Sequence, residues 1–329
     1  MKKSLVTLFC LMFVSAPFAA ELTVYSARGE HLIKPIFDQY TKKTGTKIRF
    51  TTGKAPMLLQ KLVSEGKDSK ADLLITVDAG NLWQAKQKGL FASVDSPILR
   101  TNIPAHLRDP ANYWFGLSLR ARTIIYNSTN LKAKDLVGYA DLAEPKWKNR
   151  LCLRTSKKVY NQSLVAMLIE DHGNKGAQKI VEGWIKNLAA PVFSNDSSVI
   201  NALAAGQCDV GIVNTYYLAR IISKNPKLPV KIFWADQSTT GTHVNISGAG
   251  VLNTSKNKIE ARKFLEWLSS QEAQGLFADL NHEYPANPVV SANSLVKNWG
   301  VFKQNKLNVS SLGKKQKEAV MLMDRAQYK

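Results

Sequence analysis

Residues 209–222 read DVGIVNTYYLARII, and at their centre stand two adjacent phenols, Tyr216 and Tyr217. A free phenol has a pKa near 10 and is neutral in ordinary solution. A nearby cation favours the charged form, and a phenolate is a hard anionic oxygen donor. The pair follows a strand-like apolar run and precedes a helix-like one. Neighbouring side chains of a regular strand point to opposite faces, so both phenols can meet one ligand only where the backbone turns. A strand-to-helix junction supplies that turn. Packing is the ordinary alternative, because tyrosine is common at half-buried positions. Cysteine spacing adds a second feature. Cys152 lies eight residues before Tyr160, and Cys208 lies eight before Tyr216. Outside the cytosol an even pair suggests a disulfide, which would tie together the segments presenting those tyrosines. Two buried free thiols are the alternative that the sequence leaves open. No G-x-S-x-G elbow, H-E-x-x-H or P-loop occurs in the sequence, so nothing supports turnover and the chain reads as no enzyme. His106, His172, His243 and His282 show no ligand spacing.

The compartment is read from the first twenty residues. Lys2 and Lys3 precede an apolar run, LVTLFCLMFV, and then the small residues of SAPFAA. That order is a secretory signal peptide over residues 1–20, cleaved just before Glu21. Its apolar core is too short to span a bilayer, and Cys10 lies inside it without a lipobox. The mature protein is therefore expected to be soluble and exported. About 309 of the 329 residues remain, which favours two lobes. Without Lys2 and Lys3, the 45 basic residues become 43 against 25 acidic ones, a net charge of +18. The lysines are scattered and not interleaved with aromatics, so nucleic acid is not the expected partner. A solvated basic surface, or docking to an acidic membrane face or partner, fits better.

The elements that must position the tyrosines alternate. ELTVYS is a first strand, followed by a helix with Leu32, Ile33, Ile36, Phe37 and Tyr40 on one face and Pro35 in its first turn. TKIRFTTG and APMLLQKLVSEG form a second strand and helix, and ADLLITVDAG and NLWQAKQKGL a third pair. That βαβαβα order implies an α/β chain with a parallel sheet. WFGLSLRARTIIYN is a long strand crossing to a second lobe. There, WKNRLCLRTS leads to Tyr160, a helix ends at Gly173, and another stops at Gly206 before the doublet strand. HVNISGAGVL returns to the first lobe. The stretch from Ser255 to Ala278 holds Ile259, Phe264, Leu265, Trp267 and Leu268 in helical phase, and a last helix over about 312–327 packs Ala319, Val320, Leu322 and Met323.

VYSARGEHLI, ADLLITVDAGNLWQAKQKGL, SLRARTIIYN, VYNQSLVAMLI, AAGQCDVGIVNTYYLAR, HVNISGAGV and SKNKIEARKFLEWLSSQEAQ occur in that order. Together they resemble the periplasmic ferric-ion-binding proteins of bacterial iron ABC importers, from Glu21 onward. The similar subgroup holds iron with two adjacent tyrosines and one upstream, together with a carbonate-type anion. The resemblance implies a type II periplasmic-binding-protein fold with an interlobe cleft and hinge closure. It places the N-terminal lobe at 21–119 and 247–290, and the C-terminal lobe at 120–246 and 291–329. Tyr160, Tyr216 and Tyr217 would be the Fe³⁺ ligands, and three phenolates would neutralise the ion. Arg28 in the first-strand turn and Arg120 in the crossing strand would hold carbonate or bicarbonate, since a guanidinium matches such an anion bidentately. The helix N-terminus after Arg28 could add backbone N–H groups. An inner-membrane ABC permease is the implied partner, the periplasm the location and a monomer the state.

The sequence departs from the family at the first lobe. Many relatives carry His, or His-Tyr, after the first-strand turn, where this chain has Gly29 and Glu30. Others use a glutamate where this chain has Val77, next to Asp78. The Ser-Gly-Ala turn of phosphate-dependent relatives is replaced by SKKVY. The first lobe therefore offers no certain metal ligand, and an anion would fill the gap. Glu30 and His31 are read as helix-start residues, and Tyr25, Tyr126 and Tyr284 as structural. One rival keeps the fold but exchanges iron for thiamine, a polyamine or an oxyanion. An organic cation would need an aromatic cage, from Trp83, Trp114 or Trp234, and cleft carboxylates. An exported enzyme is the lower alternative.

Overall fold

The computed structural model describes residues 20–329. The expected signal peptide lies outside them, apart from Ala20. Among the described residues no helix is long and apolar enough to cross a membrane.

The chain begins β1 (Glu21–Ser26), α1 (Glu30–Thr44), β2 (Lys47–Thr52), α2 (Ala55–Glu65), β3 (Leu73–Val77), α3 (Ala79–Gln87) and α4 (Pro97–Asn102). β1 pairs in parallel with β2 and β3, as the alternating pattern requires. Leu22 and Val24 of β1 bury against Ile33, Ile36, Phe37 and Tyr40 of α1. The long strand β4 (Phe115–Asn127) then leads to β5 (Leu151–Cys152), α5 (Val159–Lys186), α6 (Asp196–Ala204), β6 (Val210–Asn214), α7 (Thr215–Ile222) and β7 (Val230–Phe233). β8 (Val244–Val251), α8 (Lys258–Leu268), α9 (Gln271–Asn281), β9 (Tyr284–Pro285), α10 (Ser294–Lys297), α11 (Ser310–Lys314) and α12 (Gln316–Arg325) complete it.

Every residue of β4 is buried because the strand serves two sheets. Residues Phe115–Ala121 pair antiparallel with β8, which also pairs with β3. From Arg122 onward the partners are β6 and β7, and β5 pairs in parallel with β6. One sheet is thus β2-β1-β3-β8-β4, and the other is built on the second half of β4. The two cysteines sit where β5 and β6 meet, and Cys152 and Cys208 are bonded. The bridge spans 56 residues. Breaking it, by reduction or Cys208→Ala, is expected to cost about 2–4 kcal/mol, seen as a lower urea midpoint; an unchanged midpoint would show that strand pairing alone holds this corner.

α5 breaks at Gly173, where φ is 67°, so it is two helices meeting at a kink, as the sequence leads one to expect. Two local readings change. The run from Ser255 to Ala278 is two helices, because Ser270 caps α9 by accepting from the Ala273 N–H. Ile259 and Val320 keep helical phase but face solvent, at 66% and 43% exposure. α12 packs on α5, whereas α11 rests on both α5 and α3. At the α3 contact a Cβ on Gly313 would stand 2.3 Å from that of Trp83.

Candidate metal centre

The tyrosines occupy equivalent places. Tyr160 is the second residue of α5 and Tyr216 the second of α7, each helix following a strand of the disulfide-linked pair. Tyr217 follows in the same turn, and its ring centroid is 4.5 Å from that of Tyr216. The turn out of β6 therefore puts both members of the doublet on the same cleft, as the junction argument requires. All three tyrosines line an open cleft of about 810 Å³. Its other wall comes from the β1–α1 turn, the start of α2, Val77 and α3. Tyr160 and Tyr216 are 7% exposed, while Tyr217 is half-buried.

Burial pushes the Tyr160 hydroxyl above the usual phenol range, and the Arg120 guanidinium opposes the rise. Tyr216 is pushed well above that range by burial and then by its neighbours Tyr160 and Tyr217. Asn214 Nδ2 donates to its oxygen at 3.2 Å. Three phenolates cannot coexist here without a cation to offset them. Cations do surround the group. Arg120, Arg154 and Lys158 lie 5.4, 5.6 and 4.8 Å from the Tyr160 ring centroid, and Arg220 lies 5.0 Å from that of Tyr216. Burial lowers the Lys158 pKa, and Arg154 lowers it further. Arg154 is held above its ordinary value by Asp196, then by Tyr217 and Tyr160, against the opposing effect of burial.

Both arginines expected to bind an anion already have carboxylate partners. Arg28 lines the cleft, but its Nη2 donates to Glu283 at 2.8 Å and its Nη1 to Ser247 at 2.8 Å. Arg120 Nη2 donates to Asp78 at 3.3 Å, and its side chain is 3% exposed. Among the described residues each keeps one buried nitrogen without a partner, Arg28 Nε and Arg120 Nη1, and so does Arg154 at Nε. An anion with several acceptor oxygens fits such orphaned donors. Because Arg28 and Glu283 are both buried, Glu283→Gln leaves an uncompensated charge. It should destabilise the fold by about 3–5 kcal/mol, measured by urea unfolding; a near-neutral result would mean that the bonds from Arg28 Nη1 to Ser247, and to Ser118 at 3.4 Å, hold Arg28 alone.

Asp78, which the sequence marks only as the neighbour of Val77, is a structural centre of the cleft. It is fully buried and joins the two sides of the cleft. It accepts from Ser163 Oγ at 2.6 Å, from Asn245 Nδ2 at 3.0 Å and from the Gly80 N–H at 3.0 Å. Ser163 stands one turn beyond Tyr160, so this bond ties the tyrosine helix to the end of β3. Burial pushes the Asp78 carboxyl up, while Arg120 and these donors pull it down. Among the described residues no group of three or more His, Cys, Asp or Glu could hold a metal ion. None of the described residues lining the cleft is acidic.

A family of bacterial extracellular solute-binding proteins matches residues 68–302. The chain belongs to that family. Iron uptake protein A1 of Synechocystis sp. is 39% identical to this solute-binding protein over 315 residues, which cover 94% of this chain and 88% of that protein. The structure of Trichodesmium FutA (IdiA) with iron and citrate ligands superposes with a TM-score of 0.91 at 43% identity, covering 94% of this chain and all of the other. The ferric binding protein of Campylobacter jejuni gives 0.87 at 36% identity, with 94% and 100% coverage. The α/β fold is accordingly the two-lobe type II arrangement of such binding proteins.

Proposed function

We propose that this solute-binding protein captures ferric iron in the periplasm and hands it to an inner-membrane ABC permease. Tyr160, Tyr216 and Tyr217 are the ligands, and a carbonate or bicarbonate completes the site. The observation that carries the reading is the convergence of three phenols on a cleft that offers no carboxylate, imidazole or thiol cluster. Fe³⁺ is hard and highly charged, so anionic oxygen is its preferred donor. The related proteins named for iron uptake and ferric binding support the same cargo. The anion would sit against the unpartnered N–H groups of Arg120, Arg154 and Arg28, and the first lobe, 21–119 with 247–290, would close over the ion held by the second, 120–246 with 291–329. The protein acts as a monomer and performs no catalysis.

The lining sharpens the choice among ligands. Among the described residues, Arg28, Lys54, Lys157, Lys158 and Arg220 face the cleft and no acid does. A polyamine or thiamine cation would be repelled, whereas an ion accompanied by an anion is not. The test is ferric titration with and without bicarbonate, followed by visible absorption. A phenolate-to-iron band that needs bicarbonate is expected. Absence of the band would remove the iron reading, and bicarbonate independence would remove only the anion.

A further inference from the structure

The loop that delivers Tyr160 to the cleft is held from behind by a distant part of the chain. Residues 153–158 connect β5 to α5, and beyond a bridge to Phe193 they form no regular element. Tyr328 Oη donates to the Arg154 carbonyl at 2.6 Å. It also accepts from Asn161 Nδ2 at 2.9 Å, the group that donates to the carbonyls of Arg154 and Thr155. The Ser156 N–H donates to the Lys329 carbonyl at 2.8 Å. Two consecutive residues thus hold Arg154 and Ser156 in the loop that leads into α5, whose second residue is Tyr160.

The backbone that places Tyr328 there is unusual. After α12 the chain turns through Gln327 at φ 57°, a left-handed conformation that glycine or asparagine usually takes. The Tyr328 N–H then bonds back to the Met323 carbonyl at 2.9 Å. The turn swings the ring inward, and Tyr328 is 4% exposed. Packing alone would accept a phenylalanine; the hydroxyl is used on the Tyr160 loop and on Asn161, the residue after Tyr160 in α5. The other end of α12 reaches the same helix. Gln84 Nε2 donates to Gln316 Oε1, and Gln316 Nε2 to Gln162 Oε1, each at 2.8 Å. This chain of amides runs from α3 in one wall of the cleft to the first turn of α5 in the other.

We infer that Tyr328 is a positioning residue for the Tyr160 ligand, and that α12 links the seat of Tyr160 to the opposite wall through Gln316. The inference rests on the tyrosine reading proposed above. If the contact sets the Tyr160 oxygen, loosening it should disturb the metal more than the fold. By reciprocity, loading the metal should also tighten the contact.

The experiment compares wild type with Tyr328→Phe, Tyr160→Phe and the double variant, each loaded with ferric iron and bicarbonate. Loss of one buried hydrogen bond should make Tyr328→Phe release iron to a competing chelator about tenfold faster. It should also shift its visible band at a melting temperature near that of wild type. In the Tyr160→Phe background the second change should add nothing, because its route is gone. An unaltered band and release rate in Tyr328→Phe, or a full effect in the double variant, overturns the positioning role. Wild-type binding by Tyr160→Phe overturns instead the tyrosine reading on which it rests. Hydrogen exchange on the wild-type protein supplies an arm that needs no variant: the Ser156 amide should exchange more slowly when iron is bound, and equal exchange in both forms overturns the inference.

Discussion

Tyr216→Phe is expected to lower ferric affinity by at least about 100-fold and to weaken or remove the visible phenolate-to-iron band. Loss of a group that merely orients a metal ligand commonly costs 10–100-fold, so loss of a donor should cost no less. Tyr216 is a good choice because it is coupled electrostatically to both Tyr160 and Tyr217. Phenylalanine keeps the ring against Tyr217 and under Arg220, so packing is retained. What disappears is one oxygen, and with it one negative charge beside a trivalent ion in a cleft already rich in positive side chains. Tyr160→Phe should behave alike: it keeps the ring that Arg120, Arg154 and Lys158 surround and removes only the oxygen. Competitive titration against a chelator, with melting temperatures as the control for folding, measures the effect. Wild-type affinity in either variant would remove that tyrosine from the site.

The tyrosines were accessible from the sequence because their signal is local. A doublet at a strand end and an equal offset from two cysteines need only counting, and β6 ending at Asn214 does turn both phenols onto one cleft. The alternation of β1 to α3 was readable for the same reason: Leu22, Val24 and the α1 stripe repeat at the periods their elements impose. The partners of the arginines were not. Arg28 meets Glu283 across 255 residues, and Arg120 meets Asp78 across 42. No spacing rule links such pairs; only the sheet order, with β1 on β3, β3 on β8 and β4 on β8 and β9, brings them together. Tyr328 is the same case at 174 residues from Arg154. Ile259 and Val320 show the opposite limit. Each sits in helical phase with buried neighbours, yet at the margin of its stripe, and periodicity does not say how wide the covering surface is.

Acidification is expected to strip the iron before it unfolds the protein. Burial first, then coupling among the phenols, raises Tyr160 and Tyr216 above the ordinary phenol pKa. Both are therefore protonated in the empty cleft at every pH near neutrality. Each must lose its proton to bind, so affinity at fixed free Fe³⁺ rises with pH and falls as pH drops, by about tenfold per pH unit for each proton released. Carboxylate ligands with ordinary pKa values would instead reach a plateau above about pH 5. Buried His243 and half-buried Asp236 act on the fold over the same range, and they oppose each other. His243 is pushed down to about 3 by burial and by Arg122 and Arg120. Its unfolded form binds a proton near pH 6.5, so the stability tied to neutral His243 is lost as pH falls from there toward 3. Asp236 is pushed up to about 6 by burial. The folded state holds its proton more tightly, so that contribution grows as pH falls through the window from about 6 to about 4. Between about pH 4 and 6 the two slopes offset, and the melting temperature of the empty protein should change little while affinity falls steeply. Affinity by chelator competition and melting by circular dichroism, both taken from pH 5 to 8, test the pair of expectations. A flat affinity over that range would mean that the ligands are not phenols, and parallel collapse of affinity and melting would place release in the fold rather than in the protonation of Tyr160 and Tyr216.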